Sequence, residues 1–66
     1  MSVAAEFRAE MARQHVPQHK IAAVLGMSQQ AVSRRLRGDI ALDTDEIEKL
    51  AAALDLAPLV ILERAA

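Results

Sequence analysis

Apolar positions along this chain recur at helical rather than strand spacing, and punctuation divides them into five short segments. Val3, Phe7 and Met11 stand four apart and predict one apolar stripe on a helix from about Ser2 to Gln14, with Ser2 as N-cap. Val16 precedes Pro17, which drives it out of helical geometry and separates the first two helices. The second helix is predicted from about Pro17 to Leu25, with Ile21, Val24 and Leu25 inward and Gly26 supplying the left-handed stop. The third starts after Ser28 and runs to about Arg37. Its apolar residues are only Ala31, Val32 and Leu36, and Gly38 ends it. The fourth has the clearest start. Asp43 with Glu46 reads as a capping box, Leu42 with Ile47 as a hydrophobic staple, and Ile47, Leu50, Ala51 and Leu54 as the buried stripe. The fifth opens at Pro58. Its run Leu59-Val60-Ile61-Leu62 fits a helix, with a short β segment as the alternative. In the helical reading Leu59 and Leu62 are assigned inward, and Val60 and Ile61 outward.

Composition narrows the class. The chain has 66 residues and no cysteine, so neither a disulfide nor a thiolate metal site can staple it. Of its 35 apolar residues 14 are alanine, and Phe7 is the only aromatic, which favours an all-α fold over a sheet. A domain this small buries only ~60% of its unfolded surface, so helix packing, with or without a partner subunit, must hold it. No apolar run approaches the ~20 residues of a membrane span. The start of the chain lacks the pattern of a secretory signal, so the expected location is cytoplasmic, at the nucleoid.

The net charge of −1 hides a segregation. Arg13, Lys20, Arg34, Arg35 and Arg37 populate residues 11–38 with no acid among them, whereas 39–66 carry seven acids against Lys49 and Arg64. A cationic middle on an anionic remainder can turn one positive face to a polyanion. Chemistry of the catalytic kind has no footing. No Ser-His-acid set can close around a pocket in so small a bundle, and His15 and His19, four apart, are separated by Pro17, which breaks the helix a metal site would need. No cofactor, metal, small-molecule ligand or membrane partner is expected.

The stretch Gln18–Arg37 is a helix, a tight turn and a helix. Ala22 is small where the two helices meet, Gly26 permits the sharp turn, and Ile21, Leu25, Met27 and Val32 are apolar where a shared core is needed. A purely structural helical hairpin would show the same features. The stretch Pro17-Gln18-His19-Lys20-Ile21-Ala22-Ala23-Val24-Leu25-Gly26-Met27-Ser28-Gln29-Gln30-Ala31-Val32-Ser33-Arg34 resembles the Cro/CI-type (XRE-like, lambda repressor-like) helix-turn-helix family, and Ile47–Leu62 resembles that family's last two helices. The resemblance implies one compact five-helix domain over residues 1–66, with helix-turn-helix unit 18–37. It also implies transcriptional repression and frequent dimers on two-fold operators. The chain departs from the family at Leu36, where an acid commonly pairs with a first-helix arginine aligned here with Met11, and at Asp55, where a helix-ending glycine is preferred.

On this basis the third helix should enter the major groove of a double-stranded DNA operator. Gln29, Gln30, Ser33 and Arg34 are the candidate base contacts. A glutamine amide suits adenine N6 and N7, and an arginine fork suits guanine O6 and N7. Gln18, Lys20, Ser28, Arg35 and Arg37 are the candidate phosphate contacts, with Gln18 also implied to bridge to Gln29. His19 can join them or stay inert. Arg13 can reach the backbone or merely complement its own helix end. A homodimer is expected, at least on DNA, with Val60 and Ile61 as its contacts. The functional expectation is a Cro-like repressor, for which so short a chain suffices without a regulatory domain; an antitoxin of a toxin–antitoxin pair is the alternative.

Overall fold

The computed structural model describes residues 2–66. Five helices follow one another: α1 (Val3–Gln14), α2 (Gln18–Leu25), α3 (Gln29–Leu36), α4 (Thr44–Ala53) and α5 (Pro58–Ala65), with no strand among the described residues. The run 59–62 is helical. α1 packs on α3 and α5, α2 on α3 and α4, and α4 on α5.

Local chemistry sets the helix starts. Ser2 and Ser28 each accept a hydrogen bond from the third residue on, Ala5 N–H at 3.0 Å and Ala31 N–H at 3.1 Å. Asp43 and Glu46 form the full reciprocal box: Glu46 N–H donates to Asp43 Oδ1 at 2.7 Å, and Asp43 N–H to Glu46 Oε1 at 3.1 Å. Pro17 serves as N-cap of α2, just before its first turn.

The first four helices all end on one motif, in which a left-handed residue lets the next N–H reach back to a carbonyl five residues earlier. Val16 N–H reaches Met11 O, Met27 N–H reaches Ala22 O, Asp39 N–H reaches Arg34 O, and Leu56 N–H reaches Ala51 O. Gly26 and Gly38 fill the left-handed position around the helix-turn-helix. His15 (φ 56) and Asp55 (φ 58) fill it in α1 and α4, where a side chain is disfavoured.

The core is Phe7, Met11, Ile21, Ala22, Val32, Leu36, Leu50, Ala51, Leu54 and Ile61. Met11 and Leu36 are both buried in it, so apolar packing stands where the resemblance implied that an acid and an arginine commonly pair. A polar seam runs beside the core. The Glu10 carboxylate accepts from Arg13, Gln14 and Arg64, and Gln14 Nε2 also donates to Leu54 O at 2.8 Å, stitching α1 to α4 and α5. Hydrogen bonds from Gln14, Arg64 and Arg13 hold the Glu10 pKa at about 2.

The phase of α5 differs from expectation. Ile61 is fully buried and Val60 half-buried, whereas Leu59 is 63% and Leu62 45% exposed. Within the folded chain Ile61 is therefore no surface contact. Four apolar residues in a row carry no phase of their own, so the packing of α5 on α1 and α4 selects which one is inserted.

Candidate nucleic-acid interface

α3 turns one narrow side inward. Val32 and Leu36, one turn apart, are its buried residues, and Ala31, Ser33 and Arg35 are half-buried beside them. At 100° per residue, Gln30, Arg34 and Arg37 project from the opposite side, and all three are exposed. Gln29 is exposed in the first turn. The structure thus brings Gln29, Gln30, Arg34 and Arg37 onto an open surface, with Ser33 at its edge.

The turn before α3 is built for this exposure. Gly26 takes the left-handed conformation (φ 67), Met27 folds onto the core, and Ser28 caps α3. Gln18 and Lys20 are exposed at the start of α2. Among the described residues no hydrogen bond joins Gln18 to Gln29.

The electrostatics are leaner than the charge count of residues 11–38 suggested. Arg13 is paired with Glu10 at 3.0 Å, and Arg37 with Asp39 at 3.0 Å in a solvent-exposed pair. Lys20 and Arg34 have no ion-pair partner among the described residues. Arg35, expected as a phosphate contact, is engaged within the protein. Its Nε donates to Glu46 Oε2 at 3.0 Å and its Nη1 to Ala31 O at 3.0 Å, with only 20% of the side chain exposed. Sequence reasoning could not see this. Arg35 and Glu46 are 11 residues apart on different helices, and Glu46 already had a role as a capping residue. Arg8 was also missed; its Nη1 donates to Leu36 O, tying α1 to the last turn of α3.

An exposed polar helix on a glycine turn, braced by α1, α2 and α4, defines a helix-turn-helix DNA-binding domain. A family model described as helix-turn-helix matches residues 7–61, and the chain belongs to that family, of the Cro/CI type. It is a DNA-binding transcriptional regulator whose partner is double-stranded DNA. No curated protein and no solved structure matched the chain. No helix among the described residues is long and apolar enough to cross a membrane.

Proposed function

We propose that the protein is a sequence-specific, Cro-like repressor that lays α3 in the major groove and blocks transcription by occupying its operator. The observation that carries the reading is α3 itself: Gln30, Arg34 and Arg37 point outward and only Val32 and Leu36 are buried. Gln29, Gln30 and Arg34 read base edges, with Ser33 beside them. Gln18, Lys20, Ser28 and Arg37 bind phosphates, Arg37 by exchanging Asp39 for DNA. Repression by occlusion suits a body of 28 × 22 × 20 Å lying across a promoter.

Few unpaired cations mean a modest electrostatic contribution. At ~0.9 per phosphate contact, the two cationic phosphate contacts, Lys20 and Arg37, give a slope of log K against log[salt] of roughly −2 per protomer. Specificity then has to come from base contacts and from using two copies. Half-sites ~34 Å apart would be spanned by a homodimer. Leu59 and Leu62, exposed one turn apart on α5, support α5 as its contact in place of Val60 and Ile61. The same leucine pair would serve a toxin as readily as a second copy. The antitoxin reading would gain if a protein of different sequence co-purified at fixed stoichiometry.

Selection from random duplexes with purified protein, repeated at two salt concentrations, tests the proposal. The expected result is a two-fold-related consensus with at least one A·T and one G·C contact per half-site. Recovery of no preferred sequence would remove direct readout by α3.

A further inference from the structure

We infer that the Arg35–Glu46 pair is a clamp that sets the pose of α3 in the bundle, making Arg35 and Glu46 positioning residues for DNA recognition and not DNA contacts. The inference rests on the reading of α3 as the recognition helix. It assigns roles to two charged residues that direct readout leaves unused.

The pair differs from every other ion pair among the described residues. Both partners are shielded, with side chains 20% and 13% exposed, whereas each other pair has at least one partner 39% exposed or more. Shielded charges interact more strongly and are less screened by salt. The geometry is also held from both sides. Glu46 Oε2 takes Arg35 Nε at 3.0 Å, while Glu46 Oε1 takes the Asp43 N–H at 3.1 Å. Arg35 spends a second donor on Ala31 O, one turn back along α3. Arg35 also lines a hollow of about 280 Å³ with Val3, Ile40, Leu42 and Ile47. The Arg35 guanidinium thus spends two of its N–H donors inside the protein, with only 20% of the side chain exposed.

The position of the pair gives it leverage. α3 packs on α1 and α2, and the α3–α4 pair is not among the main helix packings. The loop 37–43 connects them along the chain, and the ion pair is a side-chain link from α3 to the capped start of α4. Arg8 holds the same turn of α3 from the α1 side. An eight-residue helix is about 12 Å long, so a tilt of about 15° about this turn moves the Gln29 end by roughly 3 Å. That is a full hydrogen-bond length at the base edges.

Two variants and their combination test the clamp. Arg35→Met keeps the apolar stem and removes the charge. Glu46→Gln keeps a residue type that completes a capping box but removes the ion pair. Circular dichroism first establishes that both remain helical. Each is expected to lose about 10-fold in affinity for the selected operator, with random DNA affected less than twofold for Arg35→Met and its salt slope unchanged. The double variant is expected to lose no more than either single one, because the two act through one contact. Equal weakening of operator and random DNA by Arg35→Met, with a slope flatter by ~0.9, would make Arg35 a phosphate contact and overturn the clamp. Unchanged operator binding in both variants would overturn it as well. If the wild-type chain bound no duplex even at low salt, the DNA reading would fail by itself. The clamp would then be judged without DNA, from loss of Arg35 Nε–H exchange protection and shifted Gln29–Ala31 amide resonances in Glu46→Gln. Their persistence would sink it.

Discussion

α3 and α5 are both eight residues long, yet they leave opposite kinds of surface exposed. α3 buries Val32 and Leu36 and shows solvent a polar side of Gln30, Arg34 and Arg37. α5 buries Ile61 and shows solvent two leucines. A polar exposed side that can reach hydrogen-bonding edges suits a duplex groove, whereas an apolar one gains free energy only from another apolar surface. The difference teaches that burial alone does not mark a working surface. What is left exposed, and how the helix is held while exposing it, does. α3 is tied by Arg8, by Glu46 and by its Ser28 cap. α5 is tied through Arg64 to Glu10 and has no side-chain cap at its start.

The contrast can be broken most sharply inside α5. Ile61→Ala should cost about 2–5 kcal/mol by opening a core cavity. Total stability for 66 residues is of order 3–10 kcal/mol, so urea titration should find the variant near or past unfolding at 37 °C. Leu59→Ser with Leu62→Ser should instead leave the urea midpoint almost unchanged while abolishing the proposed α5-mediated self-association, read by sedimentation with operator DNA. If that double variant unfolded as Ile61→Ala does, the assignment of α5's exposed side would be wrong. On α3, Arg34→Ala should cost ~1–3 kcal/mol of operator binding and relax preference at one base pair, whereas Arg37→Ala should weaken all sequences alike and flatten the salt slope. Band-shift titrations on operator and scrambled DNA separate the two. Equal losses for Arg34→Ala on both would take it off the list of base readers.

Smaller effects test the scaffold. His15→Gly and Asp55→Gly each replace a left-handed side chain with the residue that tolerates that conformation, and each should raise stability by about 0.5–1 kcal/mol in thermal melts. Gly26→Ala should go the other way, although nothing lies within 4 Å of the added methyl, because the strain is in the backbone. Acid should act through Glu10. Its folded pKa of about 2 lies below the unfolded 4.5, so its stabilisation is complete above pH 4.5 and drains away as pH falls towards 2. Glu10→Gln should flatten that part of the stability–pH profile. An unchanged profile would mean that the seam of Arg13, Gln14 and Arg64 adds nothing through this carboxylate.

Much of the fold is legible in the residues because short-range signals carry it. The caps at Ser2, Ser28 and Asp43 lie where the sequence indicates, and the glycine ends at 26 and 38 adopt left-handed angles. The inward apolar residues of α1, α3 and α4 follow from spacing, whereas the burial of Glu6 and Glu10 on α1 does not. The exposure of Gln29, Gln30, Arg34 and Arg37 follows with them. What could not be read depends on partners distant in sequence. Arg35 looks like any cation of residues 11–38 until Glu46 is brought to it. Arg8 looks like a surface residue until the carbonyl of Leu36 arrives.

By itself, then, the order of residues determined five helices, their ends and the polar character of α3, because capping, glycine conformation and apolar periodicity act within a turn or two of chain. The tertiary structure alone decided which residue of the run 59–62 enters the core and which cations stay available to DNA. An unbroken apolar run has no preferred side until a neighbour packs on it, and a charge has no fixed role until its counter-charge is in reach.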